Sequence, residues 1–164
     1  MVKVSSIIIL KNMENYSPEQ TIIHFIKAAK RAKMYCFYIT TKLDKDGYFY
    51  SAEGTLSEVD EITFQHIEDE ENIRYFTFNI NRAREDLYDS FTWLTEDKNY
   101  FWAADIENIN HEYEFIFRFV IEYFKENSED YLWFDDADWY YTAADILKLS
   151  QMPYNPEWCC KKIV

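Results

Sequence analysis

Residues 34–52 read MYCFYITTKLDKDGYFYSA. From Met34 to Leu43, aromatic and β-branched residues follow one another with no helical period, which is the composition of a strand. Asp46-Gly47 then offers two residues that both tolerate positive φ, the signal of a tight hairpin turn. Tyr48 to Ala52 returns as the second arm. The stretch therefore predicts a β-hairpin, and with it antiparallel pairing.

Upstream, Val2 to Leu10 reads as a strand that becomes fully buried across Ile7, Ile8, Ile9 and Leu10. Ser17 as N-cap, Pro18 at the first helical position and Gln20 completing a capping box predict a helix start. Ile22, Ile23, Phe25, Ile26 and Ala29 form its apolar face, and Lys27, Lys30, Arg31 and Lys33 crowd its end, where cations complement the helix dipole. Downstream, Glu61 to Ile67 and Ile73 to Ile80 alternate and predict two strands of a meander, joined by the acidic loop Glu68-Asp69-Glu70-Glu71. Phe91 to Leu94 and Tyr100 to Ala104 predict a further hairpin around Asp97-Lys98-Asn99, with 82–90 read as a short helix or an irregular crossing.

Asn110 is placed to cap a long helix over 111–125, whose apolar residues surround most of its circumference. A helix of that kind is sandwiched between other elements. Tyr131 to Phe134 and Trp139 to Tyr141 predict short strands around Asp135-Asp136-Ala137-Asp138. Thr142 with Asp145 predicts a second capping box for a helix ending near Ser150, and Tyr154 and Trp158 of the tail are expected to pack back on the body. Strands grouped in the middle with helices at either end give an α+β fold: one domain over 1–164, with a largely antiparallel sheet of six to eight strands.

The 164 residues carry a formal charge of −13, and one in five is aromatic, with 13 Phe, 14 Tyr and 5 Trp. That aromatic content excludes a disordered acidic tail. Two glycines exclude a glycine-rich phosphate loop or a strained Gly-x-Ser-x-Gly nucleophile turn. The apolar run Ile7 to Leu10 is too short for a signal-peptide core or a membrane span, so the expectation is a cytoplasmic protein with no membrane contact. Cys36, Cys159 and Cys160 are odd in number, which favours reduced thiols over a bridge from Cys36 to the C-terminal pair.

Several residue sets invite a chemical reading. Asp44, Asp46 and Glu53 around Gly47 match part of a calcium loop, but Lys42 would occupy its first ligand position and the flanks read as strands. A plain turn is preferred. Asp135, Asp136 and Asp138, with Glu129 and Asp130 upstream, could hold a divalent cation or supply a general base; a solvated loop is the simpler reading. His24, His66 and His111 are isolated and lack the spacing of a zinc-hydrolase helix. Adjacent Cys159 and Cys160 lack the gap that brings two thiolates to one zinc, and Cys36 reads as a buried strand residue. Tyr131, Trp133, Trp139, Tyr140 and Tyr141 could stack on bases, but the interleaved charges are acidic, which argues against direct nucleic-acid binding. No cofactor and no metal are expected.

The charge is unevenly laid out. Residues 1–57 carry eight Lys/Arg and five Asp/Glu, a net of +3, whereas 58–164 carry nine and twenty-five, a net of −16. Acids around aromatic anchors suit electrostatic complementarity to a basic partner, since Trp and Tyr dominate interface energetics. In general character the chain resembles small acidic bacterial inhibitors. The expected function is a non-catalytic binding module of inhibitor or immunity type, neutralising a basic protein such as a toxin or nuclease-like enzyme. Its expected patch is Glu129, Asp130, Trp133, Asp135, Asp136, Asp138, Trp139 and Tyr140. The alternative is a small enzyme or a ligand- or metal-binding domain using the Asp135, Asp136 and Asp138 carboxylates. The apolar 111–125 helix also leaves room for self-association.

Overall fold

The computed structural model describes residues 6–68, 72–84, 99–107, 109, 112–135 and 137–164. In chain order the elements are β1 (Ile7–Asn12), α1 (Pro18–Arg31), β2 (Tyr35–Leu43), β3 (Phe49–Ser57), α2 (Glu61–Gln65), β4 (Tyr75–Asn81), β5 (Tyr100–Glu107), α3 (Tyr113–Phe124), β6 (Tyr131–Phe134), β7 (Tyr140–Thr142) and α4 (Ala143–Ser150). The strands form one seven-stranded sheet in the order β2-β3-β4-β5-β1-β6-β7. Every pairing is antiparallel. The α+β expectation holds.

Local chemistry explains the element ends. The Gln20 amide donates to Ser17 Oγ at 3.2 Å, and Pro18 opens α1 without wasting a donor. At its other end Lys33 takes φ +60°, the position usually given to glycine, while the Met34 amide donates to the Ala29 carbonyl and that of Lys33 to the Lys30 carbonyl. Arg118 of α3 donates to the Ala32 carbonyl at 2.7 Å, satisfying a further carbonyl of that terminus. Thr142 and Asp145 form the expected reciprocal box at the start of α4.

The β2–β3 hairpin forms as expected, but of its turn residues only Gly47 adopts positive φ (+84°). The Asp44 carboxylate accepts from the amides of Asp46 and Tyr48, so a three-residue connection with glycine in the left-handed position replaces the two-residue turn. Further along β2 the register shifts between Phe37 and Thr40, and Tyr38 stands at φ +56°. This bulge lies across from Gly54, where a Cβ would come within 2.5 Å of the Phe78 ring.

Three expectations are corrected. Glu61–Gln65 is a helix, not a strand: Asp60 accepts from the Thr63 amide at 2.7 Å and caps it, and only Phe64 docks, against Phe37 and Tyr75. Alternating residues placed in a five-residue helix half-bury one ring and leave Ile62 exposed. α3 begins at Tyr113 rather than 111, after a turn closed by the Glu112 amide on the Ile109 carbonyl, and Glu112 at its N-cap makes no side-chain cap bond. Tyr100–Glu107 is longer than expected and pairs with β4 and β1. The Phe91–Leu94 arm, the Glu68–Glu71 loop beyond Glu68, residues 85–90, and the expected Asn110 cap with His111 lie outside the described residues.

The sheet separates two environments. Ile7 and Ile9 of β1, Leu56 of β3, Phe76, Phe78 and Ile80 of β4, and Leu132 and Phe134 of β6 point to one face. There they bury α1, α3 and α4 in a single core. α3 is apolar nearly all round because it lies between α1 and α4, with Phe115, Phe119 and Tyr123 among its fully buried rings. The tail returns as expected: Trp158 is buried, 4.9 Å from the Phe117 ring, and Tyr154 packs on Phe117 from outside. On the opposite face Ile8 and Leu10 lie beneath Tyr100 and Trp133 in a smaller cluster, and α2 covers one end. No helix among the described residues is long and apolar enough to cross a membrane.

Candidate functional site

The acidic-aromatic stretch from Glu129 to Tyr140 sits at the β6–β7 edge, but its residues face different ways. Asp130 is only 5% exposed, and its carboxylate accepts from Lys11 Nζ at 2.7 Å and from the Tyr123 hydroxyl at 2.7 Å. Trp133 is 8% exposed and donates its indole N–H to the Ala137 carbonyl. Trp139 turns to the helix-covered side, against Phe134 and Tyr141. Tyr140 turns to the other, edge-on to Tyr131 and beneath Lys162. Asp135 is half-buried, Glu129 and Asp138 are exposed, and Asp136 lies outside the described residues. Sequence proximity here does not make one surface.

Glu129 and Asp130 instead belong to a cleft of about 520 Å³ beside the start of α1, where they meet Lys11, Tyr16, His24 and Tyr100. The Lys11–Asp130 pair joins β1 to the segment between α3 and β6. Burial raises the Asp130 carboxyl above its ordinary value, while Lys11 and Tyr123 pull the other way. Burial lowers the His24 imidazole, and the Lys11 ammonium adds to that effect. His24 Nδ1 is buried without a hydrogen-bond partner. Burial also raises the Tyr16 hydroxyl, which donates to the Asn81 carbonyl at 2.6 Å. Lys11 and Asp130 thus satisfy each other, and neither is a free acid or base.

The second candidate is the sheet face away from the helices. In β4, Phe76, Phe78 and Ile80 go into the core, so Thr77, Asn79 and Asn81 face outward. The register Thr55↔Thr77, Thr77↔Glu107 and Asn79↔Asp105 sets β3, β4 and β5 side by side, bringing Glu53, Thr55, Asp105 and Glu107 onto the same face. Asp105 is 6% exposed; its two oxygens accept from Asn79 Nδ2 at 2.9 Å and from the Trp102 indole at 2.8 Å. Burial pushes its carboxyl up to about 6, against those two hydrogen bonds. Two hollows flank it. One, of about 330 Å³, runs from Tyr50 and Arg84 to Trp102 and Asp105. The other, of about 370 Å³, lies between Tyr38, Glu53, Thr55, Thr77, Asn79 and Glu107. Tyr38 and Tyr50 line these hollows from the β2–β3 hairpin, where Tyr35 and Tyr48 are also exposed.

Of the remaining motifs, Asp44 is occupied: it accepts from two backbone amides and from Arg82 at 2.6 Å. Those bonds, the Tyr48 amide's first, hold its carboxyl below the usual range. Cys36, Cys159 and Cys160 are free thiols; burial raises Cys36 to about 11, which suits an inert strand cysteine. His66 ends α2, exposed. Among the described residues no group of three or more His, Cys, Asp or Glu is placed to hold a metal ion. Asp105, Glu107 and Tyr38 drew no attention as site residues in the sequence, and Glu53 did so only as a position of the disfavoured calcium loop. The available signal was β4 itself, whose strict apolar–polar alternation marks a face outside the main core. Comparison with known proteins finds no matching family, no matching curated protein and no matching solved structure.

Proposed function

We propose that this protein is a non-catalytic, acidic binding module of inhibitor or immunity type that neutralises a basic partner protein. The observation that carries the reading is the uncovered sheet face, where Glu53, Asp105 and Glu107 stand among Tyr38, Tyr50 and Trp102. Carboxylates beside partly exposed aromatic rings on a stiff sheet provide both steering and anchoring for a cationic surface. The −16 net charge of residues 58–164 supplies the long-range field. Three free cysteines favour the reducing cytoplasm as the place where it acts.

The test is binding of a basic protein recovered from the native lysate at low salt, compared between the wild type and a variant carrying Glu53→Gln and Glu107→Gln. The reading expects salt-sensitive binding that weakens in the variant. Failure to recover any basic protein removes its support. The cleft favours a second reading, a small-ligand site, because it is the larger cavity and His24 Nδ1 faces no partner. Its paired Lys11 and Asp130 serve that role less well than the sheet face serves protein binding.

A further inference from the structure

We propose that the β2 edge of the sheet is the contact surface for a second copy of this chain, the two β2 strands pairing antiparallel about a two-fold axis at Thr41. The inference goes beyond the binding-module reading and does not rest on it. β2 is the end strand of the sheet, and among the described residues no strand lies beyond it. Between the Tyr38 bulge and the turn that starts at Asp44, residues 39–43 form a regular segment, and all of them are exposed. The bonds at the ends of the hairpin fix the direction of its backbone groups. The Asp44 amide donates to the Tyr48 carbonyl across the hairpin, and the Glu58 amide donates away from it, to the Arg74 carbonyl. Backbone groups alternate along a strand, so Thr40 and Lys42 turn theirs to Glu53 and Ser51 of β3. Ile39, Thr41 and Leu43 therefore aim their N–H and C=O groups out of the sheet, which makes the edge a template for another strand.

The segment is complementary to itself. About an axis at Thr41, that residue meets its own copy as a hydrogen-bonded pair, and Ile39 meets the partner's Leu43 on either side of the axis. All three side chains lie on the helix-covered side of the sheet. Thr41 stands opposite the core residue Ala52, Leu43 opposite Phe49, and Ile39 is a neighbour that a Cβ on Gly54 would meet at 3.3 Å. The helix layer stops short of them: Ile39 stays 38% exposed and Leu43 62%, and Ile26 of α1 is exposed as well. Pairing covers these apolar groups with the same groups of the second copy.

On the other side of the sheet the register matches opposite charges. Thr40 faces the partner's Lys42, and Thr40 Oγ1 donates to the Glu53 carboxylate at 3.3 Å, one strand further along the same row. A lysine on its flexible four-carbon stem spans that distance, and the two-fold repeats the ion pair. Among the described residues Lys42 makes no ion pair within its own chain. Net charge points the same way: two chains at −13 repel, and they meet here through residues 1–57, which carry +3. A lysine and a bulge are also the devices by which a solitary edge stays unpaired. Here the bulge ends the segment instead of interrupting it, and the lysine has a carboxylate across the axis.

The test is sedimentation equilibrium of the full chain from about 1 μM to about 1 mM, with amide hydrogen exchange followed by NMR at both ends of the range. Edge pairing requires a mass that climbs from 20.0 kDa towards twice that value. The expected dissociation constant is on the order of 10 μM. Exchange at the Ile39, Thr41 and Leu43 amides should slow at least about tenfold at the high concentration, while the Thr40 and Lys42 amides, bonded to β3, are protected at either end. Thr41→Pro removes an outward amide that β3 does not use and should keep the chain monomeric throughout. Lys42→Glu sets like charges together and should raise the constant at least about tenfold, and adding Glu53→Lys, which reverses the pair, should restore it. If Thr41→Pro does not fold, the charge reversal and its rescue decide. A chain that stays monomeric at the highest concentration overturns the proposal. So does a dimer indifferent to Lys42→Glu, or one whose slowed amides lie on α3 or the uncovered sheet face. Slowing at 39–43 only when a basic protein is added gives the edge to that partner and likewise overturns pairing with a second copy.

Discussion

Replacing Asp105 with Asn isolates a carboxyl that the fold holds well above its ordinary range. Asp105 is buried on the uncovered face, with Asn79 and Trp102 donating to it, Glu107 beside it and Arg84 lining the same hollow. Its carboxyl rises from 3.8 in the unfolded chain to about 6 in the folded protein. A raised carboxyl means that the folded state binds the proton more tightly. The resulting stability is fully present below pH 3.8 and is lost as the pH climbs to about 6. At 1.36 kcal/mol per unit, the displacement corresponds to about 3 kcal/mol, and relaxation around the site brings the expected effect to about 1–3 kcal/mol. Asn keeps an oxygen for the Trp102 indole, and the Asn79 amide can flip to accept from the new NH₂. Asp105→Asn should therefore match the wild type near pH 4 and exceed its stability by about 1–3 kcal/mol at pH 7.5. Urea unfolding of both proteins from pH 4 to 8 gives the difference directly. A difference that stays flat across that range refutes the reasoning, because the charged form would then cost nothing at this position.

Two further perturbations probe the scaffold. Lys11→Met leaves the Asp130 carboxyl, 2.7 Å from Lys11 Nζ and nearly buried, without its cation and should cost about 3–5 kcal/mol by urea unfolding. The double change Lys11→Met with Asp130→Asn should recover most of that loss. Gly54→Ala sets a Cβ 2.5 Å from the Phe78 ring in a filled core and should cost about 1–3 kcal/mol, read as a lowered Tm.

Signals that act within a few residues were legible in the sequence. Ser17-Pro18 and Thr142 with Asp145 start helices where the side chains say they should, because a cap needs only its own first turn. The 111–125 segment, with apolar residues round most of its circumference, announced a sandwiched helix without saying which elements enclose it. Signals shared by two structures misled: Ile62 and Phe64 alternate as in a strand, but the Asp60 cap and the docking of one ring decide for α2. The candidate site was the least legible part. Lys11 and Asp130 are 119 residues apart and meet only when β6 pairs with β1. Glu53 and Glu107 share a face only through the β3–β4 and β4–β5 registers. The Tyr38 bulge carries no mark in its own residue type, since positive φ there is enforced by the β2–β3 pairing. The stretch 129–140, by contrast, looked like one surface because a sequence does not show which strand face each side chain takes.

The central claim is that the uncovered face binds a basic protein through its carboxylates. Its most direct measurement is parallel capture from the native lysate on immobilised wild type and on the Glu53→Gln, Glu107→Gln variant, eluted with a salt gradient. The account predicts a basic protein that binds the wild type at low salt and elutes from the variant at clearly lower salt, or is not retained by it. Recovery of the same protein from both columns at the same salt concentration contradicts it.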